Sequence, residues 1–132
     1  MFETEKDKYL MKHGFGATSL KAVLFDMDGV LFDSMPNHAY SWSHAMTQFG
    51  LHITPEEAYM HEGRTGGGTI DLLAQRCWGR KATEEEKQTI YKAKSDVFSR
   101  CPEAPQMPGA YELLKKVKAG GFTPMVVTGS GQ

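Results

Sequence analysis

The sequence predicts an α/β protein in which a helical segment interrupts a parallel sheet. Two short apolar runs, at residues 21–25 and 122–127, are of the type found in parallel strands that are buried on both faces. The first run leads directly into an acidic turn, Asp26-Met27-Asp28-Gly29. Between the two runs the sequence shows helical patterns and no strand signal, so we expect a small helical bundle inserted after the first strand.

The inserted bundle is predicted to contain four helices. The first starts near Pro36, which fits a first helical turn, and ends at Gly50. Residues 54–57 and 83–86 have the sequence of capping boxes, which start a short helix toward Met60 and a longer one toward Phe98. Apolar residues at helical spacing mark the faces that pack together: Ala39, Trp42, Met46 and Phe49 on the first helix, and Ile70, Leu73, Ala74 and Cys77 on the third.

The chain is predicted to return from the bundle to the sheet near Pro108. Prolines at 102, 105 and 108 each disfavour helix at the residue before them. The next helix carries an apolar face, formed by Ala110, Leu113, Leu114 and Val117, and stops at Gly120-Gly121. We expect this helix to pack on the sheet and to connect the two strands by a right-handed crossover.

The acidic turn after the first strand is the best candidate for a functional site. Asp26 and Asp28 are two residues apart near a strand end, so both side chains can face one cleft. Gly29 permits a sharp turn that brings backbone amides toward an anion. Open α/β sheets bind ligands at this edge, and the residues suit a magnesium ion together with a phosphate. The alternatives are an ordinary acidic turn and a calcium loop, but an EF-hand needs a preceding helix and a glycine at its sixth position.

Two segments carry a family resemblance. Residues 26–31, DMDGVL, resemble the first signature motif of the haloacid dehalogenase superfamily, and residues 126–130, VVTGS, resemble the second. Pro108-Gly109-Ala110 is similar to a helix entry in the β-phosphoglucomutase-like branch. The resemblance implies a Rossmann-like core at residues 18–34 and 107–132, incomplete because only two parallel strands are present, with an inserted α-helical cap at 35–106. Residues 1–17 are expected to form a flexible tail.

The resemblance also implies a chemistry, in which a small phosphorylated metabolite is the substrate and Mg²⁺ is the cofactor. Asp26 would be the nucleophile and Asp28 the general acid/base, while the Asp26 carboxylate and the Asp28 backbone carbonyl would bind the metal. Thr128, Gly129 and Ser130 would hold the phosphate. Relatives that cleave carbon–halogen bonds generally lack the second aspartate, so Asp28 favours phosphoryl transfer. The metal is needed because a dianionic phosphate ester repels a carboxylate nucleophile.

Two residues outside these motifs are further candidates for substrate binding. By resemblance, His38 would gate the acid/base aspartate; the alternative is an exposed helix histidine. Arg64 lies in a glycine-rich loop at 63–69 that precedes a helix, so it could contact an anionic substrate, or the loop could be only a hinge. Sugar-phosphate mutases of the family carry an arginine where this sequence aligns Gly66, which weakens a mutase assignment.

The sequence ends before two elements that the family uses to complete its site. These are a lysine and one or two acidic metal ligands, on strands that follow the second motif. We therefore expect a truncated form of a longer protein that has little or no activity alone, and robust Mg²⁺-dependent turnover by the 132-residue chain would refute this. The alternative is a non-catalytic phosphate- or metal-binding fragment that needs a partner to supply the missing strands.

Composition indicates small-molecule ligands. With 15 basic and 16 acidic residues the formal charge is −1, which gives no electrostatic footprint for nucleic acid or a membrane surface. Residues 1–17 contain no apolar leader, so the cytoplasm is the default location. The five histidines show no zinc-type i, i+4 pair, and Cys77 and Cys101 are expected to be free thiols. The sequence leaves the oligomeric state open.

Overall fold

The computed structural model describes residues 2–16 and 19–129 and has the predicted α/β arrangement. One 3₁₀ turn, Thr47–Phe49, follows the second helix and ends at Gly50, which has a left-handed φ of 67°. The elements are α1 (Phe2–His13), β1 (Ala22–Phe25), α2 (Met35–Met46), α3 (Pro55–Met60), α4 (Gly66–Trp78), α5 (Glu84–Phe98), α6 (Ala110–Ala119) and β2 (Thr123–Val126).

The two strands pair in parallel, which confirms the prediction from the apolar runs. Phe25 is opposite Val126, and the Val127 amide donates to the Phe25 carbonyl over 2.8 Å, so the carboxyl ends of both strands meet at one edge. Both strands retain exposed apolar side chains: Leu24 is 63% exposed and Val126 is 57% exposed. Two strands and one crossover helix therefore leave apolar surface of the strands uncovered.

Helix α6 packs on β2 through a partly buried face. Leu114 and Val117 are half-buried, whereas Leu113 remains exposed. The helix begins after Gly109, whose φ of 82° lies in the left-handed region, and it ends at Gly120. The hand of the crossover that it forms between the strands stays a prediction.

The hydrophobic core lies in the bundle formed by α2 to α5. Helix α2 packs on α3 and α5, and its residues Ala39 and Met46 are buried as predicted. On α4, the side chains of Ile70, Leu73 and Ala74 are buried. The prediction for the fourth member of that stripe, Cys77, was wrong because Cys77 is exposed. It lies in the last turn of α4, where the adjacent Trp78, and not Cys77, packs against the core.

The two predicted capping boxes differ. At the start of α5 the Thr83 side chain accepts from the Glu86 amide, and the Glu86 carboxylate accepts from the Thr83 amide. At the start of α3 only the first half forms, with Thr54 accepting from the Glu57 amide. The Glu57 carboxylate instead binds Arg76 of α4 at 2.6 Å, and so ties the short helix to the longer one.

Two adjacent linkers connect the bundle to the sheet. The Asp33 amide donates to the Pro105 carbonyl over 2.8 Å, and the Met107 amide donates to the Leu31 carbonyl over 2.9 Å. Phe32 and Gln106 form an isolated antiparallel bridge between these hydrogen bonds. The outgoing and returning segments are therefore held side by side where the helical bundle joins the sheet.

Helix α1 was not predicted from the sequence, which indicated only a flexible tail. Salt bridges with i, i+3 spacing connect Glu3 with Lys6 and Glu5 with Lys8, a pattern that supports a helix without an apolar face. The flexibility of this segment stays a prediction. Within the described part of the chain, every helix is too short or too polar to cross a bilayer.

Candidate active site

A cleft of about 190 Å³ lies between the carboxyl edge of the strands and the helical cap. The core contributes Asp26, Asp28 and Gly129. The helical bundle contributes residues from α2, from α3 and the loop that follows it, from the start of α4, and from α5: Met35, His38, Trp42, Ala58, His61, Glu62, Gly63, Arg64, Thr65, Gly66, Tyr91 and Lys94. The cleft thus brings together five of the residues that the sequence singled out: Asp26, Asp28, His38, Arg64 and Gly129.

Asp26 is the first residue after β1, and its side chain is exposed at the mouth of the cleft. One carboxylate oxygen, Oδ1, accepts from the Met27 amide at 2.7 Å, which orients the group. Because β1 and β2 run in parallel register, Thr128 and Gly129 follow β2 at the same edge. Gly129 lines the cleft, whereas Thr128 does not. Ser130 lies outside the described residues.

Asp28 is held from two sides. The Ser34 hydroxyl, on a buried residue before α2, donates to Asp28 Oδ1 at 2.6 Å. His38 Nε2 lies 3.1 Å from the same oxygen, and the two side chains are only 13% and 17% exposed. Gly29 turns the chain with a φ of 73°, and its amide donates to the Phe32 carbonyl at 2.8 Å. The turn therefore presents the Asp28 carboxylate to α2 of the cap.

The contact to His38 continues to Lys94, a residue that the sequence analysis did not single out. Lys94 Nζ lies 2.8 Å from His38 Nδ1. An ammonium group can only donate, so Nδ1 is the accepting nitrogen and the ring proton sits on Nε2, on the side of Asp28. A signal for Lys94 does exist in the sequence, because it shares the buried face of α5 with Ile90 and Val97 at helical spacing.

Burial controls the charges of this pair. Burial is the largest cause that lowers the pKa of His38, and the charge of Lys94 is the second. Asp28 acts in the opposite direction, but the pKa is lowered overall, which favours the neutral imidazole. Lys94 is 5% exposed, and burial lowers the pKa of its ammonium group to about 8. The ammonium group lies over the ring of Phe98 at 4.7 Å and near Trp42 and Tyr91. These aromatic rings offset part of the cost of burying the charge.

The loop between α3 and α4 forms the cap side of the cleft. Thr65 caps α4 by accepting from the Gly68 amide, so its hydroxyl is occupied by the helix terminus. A Cβ atom on Gly66 would lie 2.4 Å from the ring of Tyr91. Position 66 therefore has no room for a side chain unless Tyr91 moves, which gives a physical reason for the departure from the mutase arginine.

Two oxygen donors of this chain suit a magnesium ion. One is the Asp26 carboxylate, of which only Oδ1 accepts a hydrogen bond among the described residues. The other is the backbone carbonyl of Asp28, two residues further along the chain. Hard oxygen ligands are what Mg²⁺ prefers. Among the described residues, no group of three or more His, Cys, Asp or Glu side chains is placed to hold a metal. The donors therefore fit Mg²⁺ in kind.

An acidic turn at the end of a parallel strand, covered by an inserted helical cap, defines a class of α/β enzymes. A family model for haloacid dehalogenase-like hydrolases matches residues 20–132. The chain therefore belongs to the haloacid dehalogenase-like hydrolase family, a family of enzymes, and this confirms the resemblance found in the two motifs.

Known proteins similar to this chain include both phosphatases and mutases by name. The solved structure of a candidate β-phosphoglucomutase from Bacteroides vulgatus is 60% identical, with a TM-score of 0.87, and the match covers 96% of this chain and 52% of that one. A phosphoglycolate phosphatase from Haemophilus influenzae is 30% identical, and the match covers 84% of this chain and 52% of that protein. A hydrolase from Pseudomonas syringae shares the fold at 22% identity, with a TM-score of 0.71, over 84% of this chain and 49% of that one. The chain spans about half the length of the curated relatives that it matches.

Proposed function

We propose that the protein is a Mg²⁺-dependent phosphatase of a small phosphorylated metabolite, with Asp26 as nucleophile. The observation that carries this proposal is the pair of carboxylates at the edge of the cleft, one oriented by its own backbone and the other held by Ser34 and His38. Membership of the hydrolase family and the phosphatase relatives support it.

In the first step the Asp26 carboxylate attacks phosphorus and the ester oxygen leaves with its bonding electrons. The carboxylic acid form of Asp28 gives its proton to that oxygen, so a neutral alcohol is released and an acyl phosphate remains on Asp26. In the second step Asp28 takes a proton from water, which attacks phosphorus. Inorganic phosphate departs, and the Asp26 carboxylate is restored.

His38 and Lys94 are proposed to position Asp28 for these proton transfers. His38 Nε2 lies 3.1 Å from Asp28 Oδ1, and Lys94 fixes the ring by donating to Nδ1. Because the pKa of His38 is lowered, the ring stays neutral and does not form a fixed ion pair with Asp28 near neutral pH. The carboxylate can then change its protonation state while its orientation is retained.

Magnesium would bind at the Asp26 carboxylate and the Asp28 carbonyl. When bound, the ion neutralises the repulsion between a dianionic phosphate and the attacking carboxylate. Gly129 lines the same cleft, so its backbone is proposed to contact the phosphate, with Thr128 and Ser130 beside it in sequence. Further metal ligands and a cation for the phosphate would come from the part of the fold that the longer relatives contain.

A sugar-phosphate mutase is the second candidate, and the 60% identity to the candidate β-phosphoglucomutase favours it. The contact of His38 with Asp28 also matches what the resemblance implies for that branch. Gly66 argues against it, because the Tyr91 ring fills the space that a side chain at this position would need. The phosphatase is therefore the first choice.

The experiment compares the 132-residue chain with a fusion that adds the second half of the Bacteroides vulgatus relative. We expect the fusion to hydrolyse small phosphate esters in the presence of Mg²⁺, and the isolated chain to show little or no turnover. Asp26→Asn in the fusion should abolish hydrolysis. A folded fusion that hydrolyses no phosphate ester, or that keeps its activity after Asp26→Asn, would contradict the proposal.

A further inference from the structure

A second cleft, of about 480 Å³, lies on the other side of α2 from the candidate active site. Helix α2 lines it with three residues at helical spacing, Asn37, Tyr40 and His44. Met35 and Trp42, which line the first cleft, lie about half a turn away around the same helix. Val97 and residues 100–102 complete the second cleft, and the acidic turn does not contribute to it. Its volume is in the range of small-molecule sites, about 300–1,000 Å³.

Two stacked rings form one side of the second cleft. Tyr40 and His44 are one helical turn apart, their ring centroids are 5.4 Å apart, and their ring planes differ by 15°. Both residues are exposed, and Tyr40 keeps 54% of its surface open to solvent. An exposed pair of nearly parallel rings offers a flat surface on which a further planar group can stack.

Arg100 supplies the charge of the second cleft. Its Nε atom donates to the Asp96 carbonyl at 2.9 Å, which fixes the side chain relative to the end of α5. The Asp96 carboxylate pairs with Lys92 at 2.9 Å, and among the described residues no salt bridge to Arg100 is observed. The described residues that line this cleft include no acid. The two terminal nitrogens of the guanidinium group can therefore bind an anionic group in bidentate fashion.

Hydrogen bonds hold the walls of the second cleft together. The Asn37 side-chain amide donates to the Pro102 carbonyl at 2.8 Å and so connects α2 to the segment that follows α5. The buried Ser41 hydroxyl donates to the Asn37 carbonyl at 2.6 Å and lies 3.7 Å from Cys101 Sγ. These contacts fix the floor of the cleft while its aromatic side stays open. The cleft is therefore preformed, which lowers the entropic cost of binding a ligand.

We propose that the second cleft binds a small planar ligand that carries a phosphate group, in the class of nucleoside monophosphates. The base stacks on Tyr40 and His44, and the phosphate binds the guanidinium group of Arg100. The ligand needs both parts, because a base alone leaves the arginine unpaired and a phosphate alone leaves the rings uncovered. The second cleft uses no residue of the candidate active site, so the inference is independent of the proposed function.

The test measures the binding of AMP to the 132-residue chain by calorimetry, with NMR shifts to locate the site. Mg²⁺ is omitted, because the proposed reaction needs this ion at the acidic turn. We expect AMP to shift the resonances of residues 40–44 and 97–102. Adenosine and ribose 5-phosphate each lack one of the two groups and should bind at least about tenfold more weakly. An absence of AMP binding, shifts confined to the acidic turn, or equal binding of the three probes would overturn the proposal.

Three substitutions separate the two parts of the second cleft. Arg100→Gln and Tyr40→Ala should each weaken AMP binding about tenfold, and Tyr40→Phe should retain it because the ring is kept. Both positions are exposed, so the variants should stay folded, which circular dichroism checks.

Lys116→Gln is the matched control, because it removes the same charge from an exposed position on α6 outside both clefts. It should leave AMP binding unchanged. Full affinity in Arg100→Gln, or an equal loss in Lys116→Gln, would overturn the assignment of the second cleft and leave the phosphatase proposal in place.

Discussion

Lys94 and His38 form a buried contact of 2.8 Å between Nζ and Nδ1, and His38 continues the connection to Asp28. The three residues come from α5, α2 and the core turn, so the contact joins two cap helices to the acid/base residue. A lysine that is 5% exposed is uncommon without a carboxylate partner in direct contact. Its retention on the apolar face of α5 is explained by the hydrogen bond to the ring and the surrounding aromatic groups.

The first prediction concerns the pH dependence of stability. The folded-state pKa of Lys94 is lowered from 10.5 to about 8, so between these values the unfolded chain holds a proton that the folded chain has lost. The free energy of unfolding should therefore rise as pH increases from 8 to 10.5, by at most about 3 kcal/mol. Lys94→Met should remove this rise. Urea unfolding at several pH values measures it, and identical pH profiles for the two proteins would contradict the account.

The second prediction is that Lys94 and His38 are energetically coupled. Lys94→Met and His38→Ala each break the same contact, so the double variant should lose less stability than the sum of the single variants. Residues in direct contact typically differ from additivity by about 0.5–3 kcal/mol. The double-mutant cycle is measured by urea unfolding at pH 7. Lys92→Met, which removes an exposed lysine paired with Asp96 at 2.9 Å, should be additive with His38→Ala and serves as control.

The third prediction separates two adjacent glycines. Gly66→Ala places a methyl group 2.4 Å from the Tyr91 ring, so we expect a loss of about 1–3 kcal/mol in the free energy of unfolding and a displaced Tyr91. Gly67→Ala meets only Lys87 Cδ at 3.7 Å and should gain up to about 1 kcal/mol from the higher helix propensity of alanine. Equal effects of the two substitutions would show that Tyr91 does not fill this space in solution.

The helices and the strand pair follow from local signals in the sequence. Pro36, the threonines at 54 and 83 and the left-handed Gly50 set helix boundaries, and each acts within a few residues of its own position. The acidic turn was predicted for the same reason, since two carboxylates and a glycine after an apolar run are visible without tertiary structure. Asp26 and Asp28 were the predicted centre, and the structure brings both to the cleft.

The contacts of the cap with that turn were not predicted, because they depend on how separate helices pack. Lys94 is 56 residues from His38 in the chain, and nothing local to either residue indicates their contact. The salt bridge between Glu57 and Arg76 connects α3 with α4, and it replaced half of the predicted capping box. Helix α1 was missed because its support comes from charge pairs and not from an apolar stripe.

The central claim is that Asp26 becomes phosphorylated. The fusion with the second half of the Bacteroides vulgatus relative is mixed with Mg²⁺ and a phosphate ester, quenched during turnover, and treated with borohydride, which reduces an acyl phosphate to an alcohol. Peptide mass spectrometry should then find homoserine at position 26 and unmodified aspartate at position 28. Hydrolysis that proceeds while position 26 remains aspartate, or with the modification at another residue, would contradict the account.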